Sequence, residues 1–325
     1  MTNTRPPVSV CLVTYNRATL LPATLDSLLA QTFSDFELII SDDCSTDDTE
    51  KICLEYARRD RRVRYYRNET NLGMPGNLNV SLQYAQGEYL ANLHDGDVYR
   101  KDLLEKWKAA LDDQPTAGFV FNAYRSVNSQ GQTVINREPY GPLIKGPELA
   151  YRLVSRWDSC VYGTVMARRA VYEKLGWFDP CFGNFSDVDM WLRIAENYDV
   201  AYLPEPLIDL MPRDPTRFYA FVHWRVALWL LGIHKTNLQR CRGLFPEKVA
   251  GLEKKLHRRQ QYFMLRQMLI CLKHRRWDRV KEGLAVWRDA TDRLLRVIGK
   301  VFGRSKNIPD WYNPGYWDLT GDKAS

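Results

Sequence analysis

The first hundred residues alternate short apolar runs with amphipathic stretches, and this rhythm restricts the fold more than any other feature. VSVCLVTY (Val8–Tyr15) is an apolar run rich in β-branched residues, suited to a strand buried on both faces. Leu21, Leu25, Leu28 and Leu29 follow at helical spacing. FELIISDD (Phe36–Asp43) predicts a second strand, and STDDTEKICLEYARRD begins as a helix with acids in its first turn. VRYYR reads as a third strand. A helix through Leu82 and Ala85 follows the loop NETNLGMPGN, and EYLANL is a fourth strand. Strand–helix alternation at this spacing predicts a parallel, doubly wound sheet.

After residue 100 the pattern becomes mixed. Asp102–Leu111 predicts a helix with Leu103, Leu104, Trp107 and Leu111 on one face. GFVFNAY is a strand, and the polar turn in VNSQGQTVIN predicts an antiparallel excursion. VYGTVMARRAVYEKLGWFDP reads as strand, helix and turn. SDVDMWLRIAENY reads as a helix with Met190, Trp191 and Ile194 inward. From about Thr216 the signals are helical, with Leu252, Leu256, Phe263, Leu269 and Leu272 in one group and Val280 to Ile298 in another.

Charge separates these regions. Residues 213–325 hold 24 Lys and Arg against 10 Asp and Glu, whereas residues 1–212 hold 22 against 29. The basic third is expected to meet an anionic membrane face, or simply to be a solvated helical appendage. It carries no recognised nucleic-acid motif. No run approaches the ~18 apolar residues of a membrane span, and MTNTRPPVSV lacks a signal-peptide core. Seven scattered cysteines without zinc-like spacing fit a reduced, cytoplasmic protein.

Ligands of doubly wound sheets bind at the carboxyl ends of the strands. Three polar clusters fall there: Thr14-Tyr15-Asn16, Asp42-Asp43, and Asp95/Asp97 within HDGD. Asp and Asn also form turns, so each pair alone has an ordinary structural explanation. Neither G-x-G-x-x-G after the first strand nor G-x-x-x-x-G-K-[ST] is present, so the usual phosphate cradles are absent. A chain lacking them can still bind a nucleoside diphosphate through a divalent cation held by carboxylates, a role that Asp-x-Asp fits.

Together VSVCLVTYNR, FELIISDDCSTDDT, NETNLGMPGNLN, AQGEYLANLHDGD, GTVMARRAVYEKLGWFDP and SDVDMWLRIAE resemble the family-2 glycosyltransferases, inverting enzymes of GT-A fold, over about residues 7–212. The resemblance implies an α/β, GT-A-type doubly wound mixed sheet, mostly parallel in its N-terminal half, with a C-terminal helical extension. The domains expected are 1–215, with a nucleotide-binding half (1–100) and an acceptor half (101–215), followed by a basic extension, 216–325. It further implies Asp187 as catalytic base. Thr14, Tyr15, Asn16, Asp42, Asp43, Asn71, Asn79 and Asp95 would lie by the nucleotide. Asp97, with Asp95, would hold Mn²⁺ or Mg²⁺, and His94, Asp189 and Arg213 would support the site, with Gly73 in the nucleotide loop.

Residue types agree with those roles. A departing diphosphate accumulates charge that a cation offsets, and an acceptor hydroxyl needs a carboxylate to take its proton. Against this, Asp187 and Asp189 also suit a helix N-terminus. Ser45 to Asp48 reads better as a helix cap. The chain departs from the family pattern in HDGD for Asp-Ala-Asp-Asp, in Leu78 where Arg is common, and in lacking Arg-x-His, for which Arg213 or Arg217 would stand in. The expected function is sugar transfer from a nucleoside-diphosphate donor to a glycan or polyprenyl-linked acceptor, in cell-surface polysaccharide synthesis. It would take place in the cytoplasm, with peripheral attachment at the inner membrane face. The alternative is a catalytically weak sugar-nucleotide-binding or membrane-associated scaffold.

Overall fold

The computed structural model describes residues 5–127, 132–156, 159–211 and 236–273. The chain divides into two compact units, Met1–Ala150 with Ser159–Pro212 and Tyr151–Asp158 with Arg213–Ser325.

The first unit is built on one mixed sheet. Four strands, β1 (Val8–Thr14), β2 (Phe36–Asp42), β3 (Val63–Arg67) and β4 (Tyr89–His94), are parallel in the order β3-β2-β1-β4. The chain steps outward from β1 to β2 and β3, then returns to add β4 on the other side of β1. That reversal opens a crevice at the carboxyl ends of β1 and β4. In β1, Val8, Val10 and Leu12 join Leu21, Leu25 and Leu28 of helix α1 (Leu21–Leu29) and Cys53 and Tyr56 of α2 (Thr49–Arg59) in one buried cluster. The opposite face of the sheet is covered by α3 (Gly73–Tyr84), whose Leu78 and Leu82 are buried. Both faces are covered, which explains the nearly unbroken apolar runs. Truncating a core leucine such as Leu25 to alanine would cost about 2–5 kcal/mol.

The second half adds the antiparallel character. A short strand, β5 (Asp97–Tyr99), precedes α4 (Leu103–Asp113), whereas the sequence predicts a helix shortly after Asp97. Its three residues DVY are too few to show a period, and only pairing with a distant strand makes them extended. Next come β6 (Ala117–Val127) and β7 (Thr133–Asn136), an antiparallel pair, and β8 (Leu143–Ile144) with α5 (Gly146–Ser155), which the sequence reading did not anticipate. Strand β9 (Val165–Arg168) inserts antiparallel between β4 and β6. Helix α6 (Arg169–Leu175), a 3-10 turn at Pro180–Phe185 and α7 (Ser186–Ala195) follow.

The last strand, β10 (Asp199–Leu210), runs parallel to β6 and pairs antiparallel with β5 and β8. Its register shifts around Leu203 to Ile208, where Pro204 and Pro206 cannot donate to the ladder. The resulting bend brings Leu210 opposite Asp97. In α7, Met190, Trp191 and Ile194 are buried, as their spacing predicts, and Trp191 packs against Phe119 at 5.0 Å between ring centroids.

In the second unit the described residues are helical where the sequence predicts helices. A short helix spans 236–240 and a longer one, α8, covers Val249–Lys273, with Leu252 and Leu256 buried. Tyr151 and Phe245 meet edge to face at 5.6 Å. The predicted helix through Val280 to Ile298, Arg213 and Arg217 lie outside the described residues.

Candidate functional site

The carboxyl edge of the sheet collects the polar clusters singled out in the sequence. Register makes this exact to one residue: Thr14 lies opposite Asp42, and Val13 opposite His94. The backbone at this edge is also unusual. Among the described residues, the non-glycine positions with φ in the left-handed region are Asn16 (51°) and Cys44 (65°), just past β1 and β2. Such conformations concentrate where a site is held in place by its surroundings.

The strand-end loops are tied to one another. The Asn16 side chain accepts hydrogen bonds from the Thr46 backbone N–H (2.8 Å) and, more distantly, its hydroxyl. Asp42 is buried and accepts from the Ser45 N–H and hydroxyl and from the Tyr65 hydroxyl. It therefore holds the turn that follows β2. Asp47 accepts from the Ala18 N–H and from the N–H and hydroxyl of Thr49 at the start of α2, whereas the N-cap residue itself, Asp48, makes no side-chain capping bond.

Asp43 sits beside this turn. It accepts from the Leu72 N–H (2.7 Å) and the Asn68 amide (3.0 Å), which lower its proton affinity, yet burial outweighs them and raises its pKa. Asn71 accepts from the Gly73 N–H and so shapes the loop entering α3. Thr14 is buried, and its hydroxyl has no hydrogen-bond partner among the described residues. Tyr15 is 36% exposed, a large ring beside the crevice. Asn79 instead exchanges two hydrogen bonds with the backbone of Phe178, at 2.7 and 3.0 Å. Its amide fastens α3 to the chain leading into α7.

The HDGD segment is a two-residue turn, Asp95-Gly96, between β4 and β5. Gly96 has φ +88°, which an L side chain rarely adopts. Thr24 of α1 holds the turn from beneath, accepting from the Gly96 N–H (2.9 Å) and donating to the Asp97 carbonyl (2.8 Å). The Tyr99 hydroxyl donates to the His94 carbonyl and accepts from its N–H, both at 2.8 Å. These bonds fix two side chains. The Asp97 carboxylate is buried, its residue 1% exposed, with Oδ2 3.9 Å from His94 Nδ1. Asp95 turns toward Arg17, 3.4 Å away.

A metal can be tested against this donor set. Among the described residues no three His, Cys, Asp or Glu side chains converge as a cage. The His94–Asp97 pair does converge. Mg²⁺ or Mn²⁺ commonly takes one or two protein carboxylates and completes its shell with phosphate and water, so the single buried carboxylate of Asp97 at the strand end is enough to fit such an ion.

The fourth component arrives from a distant part of the sequence. Asp187 lies in the first turn of α7, where its carboxylate accepts from the Val188 N–H at 2.7 Å. Burial nevertheless pushes its pKa up to about 6. Asp189, two residues on and so on the other side of α7, accepts from Arg193 (2.8 Å), and Arg193 also donates to the carbonyls of Leu175, Gly176 and Trp177. Asp189 thus anchors α7, while Asp187 faces Gly163. A Cβ on Gly163 would stand 3.2 Å from Asp187 Oδ2 and 3.0 Å from His94 Cε1, so base candidate and imidazole confront each other across that glycine. The neighbouring Tyr162 ring meets His94 edge-on at 5.6 Å. Tyr162, Gly163, Arg17 and Thr24 escaped the sequence reading. Only antiparallel insertion of β9 brings Tyr162 and Gly163 here, and spacing carries no sign of it.

Comparison with known proteins bears on the fold and the family. The profile described as Glycosyl transferase family 2 matches residues 9–176, more than half of the chain. TuaG of Bacillus subtilis, a putative teichuronic acid biosynthesis glycosyltransferase, is 37% identical over 206 residues, 62% of this chain and 77% of that protein. WfgD of Escherichia coli, a UDP-Glc:α-D-GlcNAc-diphosphoundecaprenol β-1,3-glucosyltransferase, is 26% identical over 60% of this chain and 72% of its own length. Among solved structures, S. aureus TarS 1-349 superposes with a TM-score of 0.55 at 20% identity, covering 87% of this chain and 91% of that one. The mannosyltransferase PcManGT from Pyrobaculum calidifontis, in complex with GDP-Man and Mn²⁺, gives 0.54 at 20% identity, over 94% and 82% of the two chains. The fold is that of the GT-A glycosyltransferases, and the chain belongs to glycosyltransferase family 2.

Proposed function

We propose that this glycosyltransferase is inverting and metal-dependent, moving a sugar from a nucleoside-diphosphate donor to a glycan or lipid-linked acceptor during cell-surface polysaccharide synthesis. The observation that carries the reading is the pairing of Asp187 with the His94–Asp97 corner across Gly163, at the mouth of the crevice between β1 and β4. The names of TuaG and WfgD support a polysaccharide setting and a diphosphate-lipid acceptor. The complexes of TarS with UDP-GlcNAc and of PcManGT with GDP-Man and Mn²⁺ support a nucleotide-sugar donor and a cation.

In this reading the Asp43 carboxylate accepts a base N–H, while the Thr14 hydroxyl and the Tyr15 ring line the base pocket. Asp97 would hold a divalent cation, which would supply positive charge to offset that on the departing diphosphate, and Asp95, paired with Arg17, would contact the ribose, the sugar or a water of that cation. Asp187 takes the proton of the acceptor hydroxyl onto its carboxylate as the hydroxyl oxygen bonds to the anomeric carbon. Attack comes from the face opposite the leaving group, so a single displacement inverts that carbon and needs no covalent intermediate. A base whose pKa is near 6 is ionised at neutral pH yet has more affinity for a proton than an ordinary carboxylate.

No helix among the described residues is long and apolar enough to cross a membrane. The surface suited to an anionic membrane is the basic C-terminal third, most of which lies outside the described residues. Hydrolysis and transfer measured with UDP-, GDP- and dTDP-sugars, with Mn²⁺ or Mg²⁺, test the reading. Turnover that needs the cation and disappears in Asp97→Ala is expected. Turnover indifferent to chelator, or none with any of these donors, would remove its basis.

A further inference from the structure

Helix α8 carries the two most exposed large apolar side chains among the described residues, Tyr262 at 70% and Leu269 at 57%, with Leu265 at 49% between them. Single exposed leucines are ordinary on a protein surface, so placement decides whether these three matter. At 3.6 residues per turn, positions 254, 258, 262, 265 and 269 fall on one stripe, because steps of three and four residues return to the same face. From its N-terminal end that stripe reads Lys254, Arg258, Tyr262, Leu265 and Leu269, and all five residues are exposed. Leu252 and Leu256, also four residues apart, lie off this stripe and are buried.

The helix thus has two faces with separate tasks. Leu252 and Leu256 pack inward. The other face presents cations over its first turns, then an aromatic ring and two leucines. A face meant only for water gains nothing from those leucines, whose apolar area stays hydrated. Charge points the same way. Over Val249–Lys273 the sequence holds six Lys and Arg against one acid, Glu253, which Arg242 engages at 3.2 Å.

Two occupants can be compared on these grounds. A second copy of the chain would bring the identical stripe, so cations would oppose cations or be buried against leucines, and both arrangements are unfavourable. An anionic bilayer answers both halves of the stripe. Its phosphates meet Lys254 and Arg258. The boundary of its acyl chains takes Leu265 and Leu269, with the Tyr262 ring at headgroup level, where amphipathic rings sit.

We infer that this stripe of α8 is a docking surface for an anionic lipid bilayer, entered by the C-terminal half of the helix. The inference rests on the membrane reading of the basic C-terminal third and names the face that makes the contact. Docking there would hold the enzyme at the surface where a lipid-linked acceptor resides.

The experiment sediments the full chain with vesicles of phosphatidylcholine alone and of phosphatidylcholine with about 30% phosphatidylglycerol. Binding to the anionic vesicles should exceed binding to the neutral ones and weaken as salt shortens the Debye length. Leu265→Ser with Leu269→Ser keeps every charge and should lower the partition coefficient about tenfold, since two leucine side chains no longer leave water. Lys254→Gln with Arg258→Gln should lower it on the anionic vesicles alone. Leu54→Ser, at an exposed leucine of α2, should change nothing. All these side chains are exposed, so Tm should stay the same.

An unchanged partition coefficient in the serine pair, or an equal loss in Leu54→Ser, would overturn the inference and leave attachment to the basic third by charge alone. Equal binding to neutral and anionic vesicles would overturn it as well. A lower Tm in the serine pair would show the stripe packed against other residues of the chain. A dimer at sedimentation equilibrium that the serine pair abolishes would show a second copy seated on it. Either result would overturn the inference. A chain that binds neither vesicle would overturn the membrane reading and this inference together.

Discussion

Replacing Asp187 by asparagine should make the protein more stable and nearly inactive, a combination that a merely structural aspartate would not give. The carboxyl group has an ordinary pKa of 3.8, and burial raises it to about 6 in the folded chain. The folded state therefore binds this proton more tightly than the unfolded state. Stability from this group is fully present below about pH 4 and is lost as pH climbs through 6. Holding the charge at pH 7 costs the folded state up to about 3 kcal/mol, at ~1.4 kcal/mol per pH unit.

Asparagine keeps the acceptor for the Val188 N–H and removes that charge. Some of the cost returns through side-chain relaxation, so a gain of roughly 1–3 kcal/mol is expected, at about 2–4 °C of Tm per kcal/mol. The gain should vanish below about pH 4, where wild-type Asp187 is itself neutral. Turnover should fall about 10²–10⁴-fold, the usual contribution of a general base. The wild-type kcat/KM should lose activity below a pKa near 6. Calorimetry across pH 3.5–8, beside donor turnover for both proteins, tests every part. An asparagine variant as active as wild type, or less stable at pH 7, would refute the reasoning.

Asp97→Asn should abolish the Mn²⁺-dependent rise in Tm caused by the donor's nucleoside diphosphate, which for wild type reaches about 2.7 kcal/mol at a hundred times Kd; an undiminished rise would place the cation elsewhere. Thr24→Val leaves the Gly96 N–H and Asp97 carbonyl without their bonds to the hydroxyl. A loss of about 1–3 kcal/mol by urea titration is expected, with weaker cation binding; equal cation affinity would show that the turn holds itself. Arg193→Met strands Asp189 and three carbonyls. It should cost about 3–5 kcal/mol and lower kcat through displacement of α7, and a stability change under 1 kcal/mol would contradict the anchoring role.

The amino-acid pattern by itself determined the parallel, N-terminal half of the sheet. Buried parallel strands must be apolar on both faces, so Val8–Thr14, Phe36–Asp42 and Tyr89–His94 announce themselves locally, and their polar ends mark the crevice. Local pattern also placed Met190, Trp191 and Ile194 inward on α7. It could not separate residues of one type by task. Asp187 and Asp189 read alike as helix-start acids, and only the fold puts one against Gly163 and the other on Arg193. Asn79 reads as a loop amide near the nucleotide, whereas packing commits it to Phe178.

The strand Asp97–Tyr99 and the approach of Tyr162–Gly163 to His94 were equally silent, since both depend on pairing between segments far apart in sequence. A strand of three residues has no period, and the value of a missing side chain depends on what stands 3 Å away. Sequence therefore determines where this chain is apolar and where it is charged. Tertiary structure decides which charges meet, because their proximity depends on long-range pairing and packing that local periodicity does not encode.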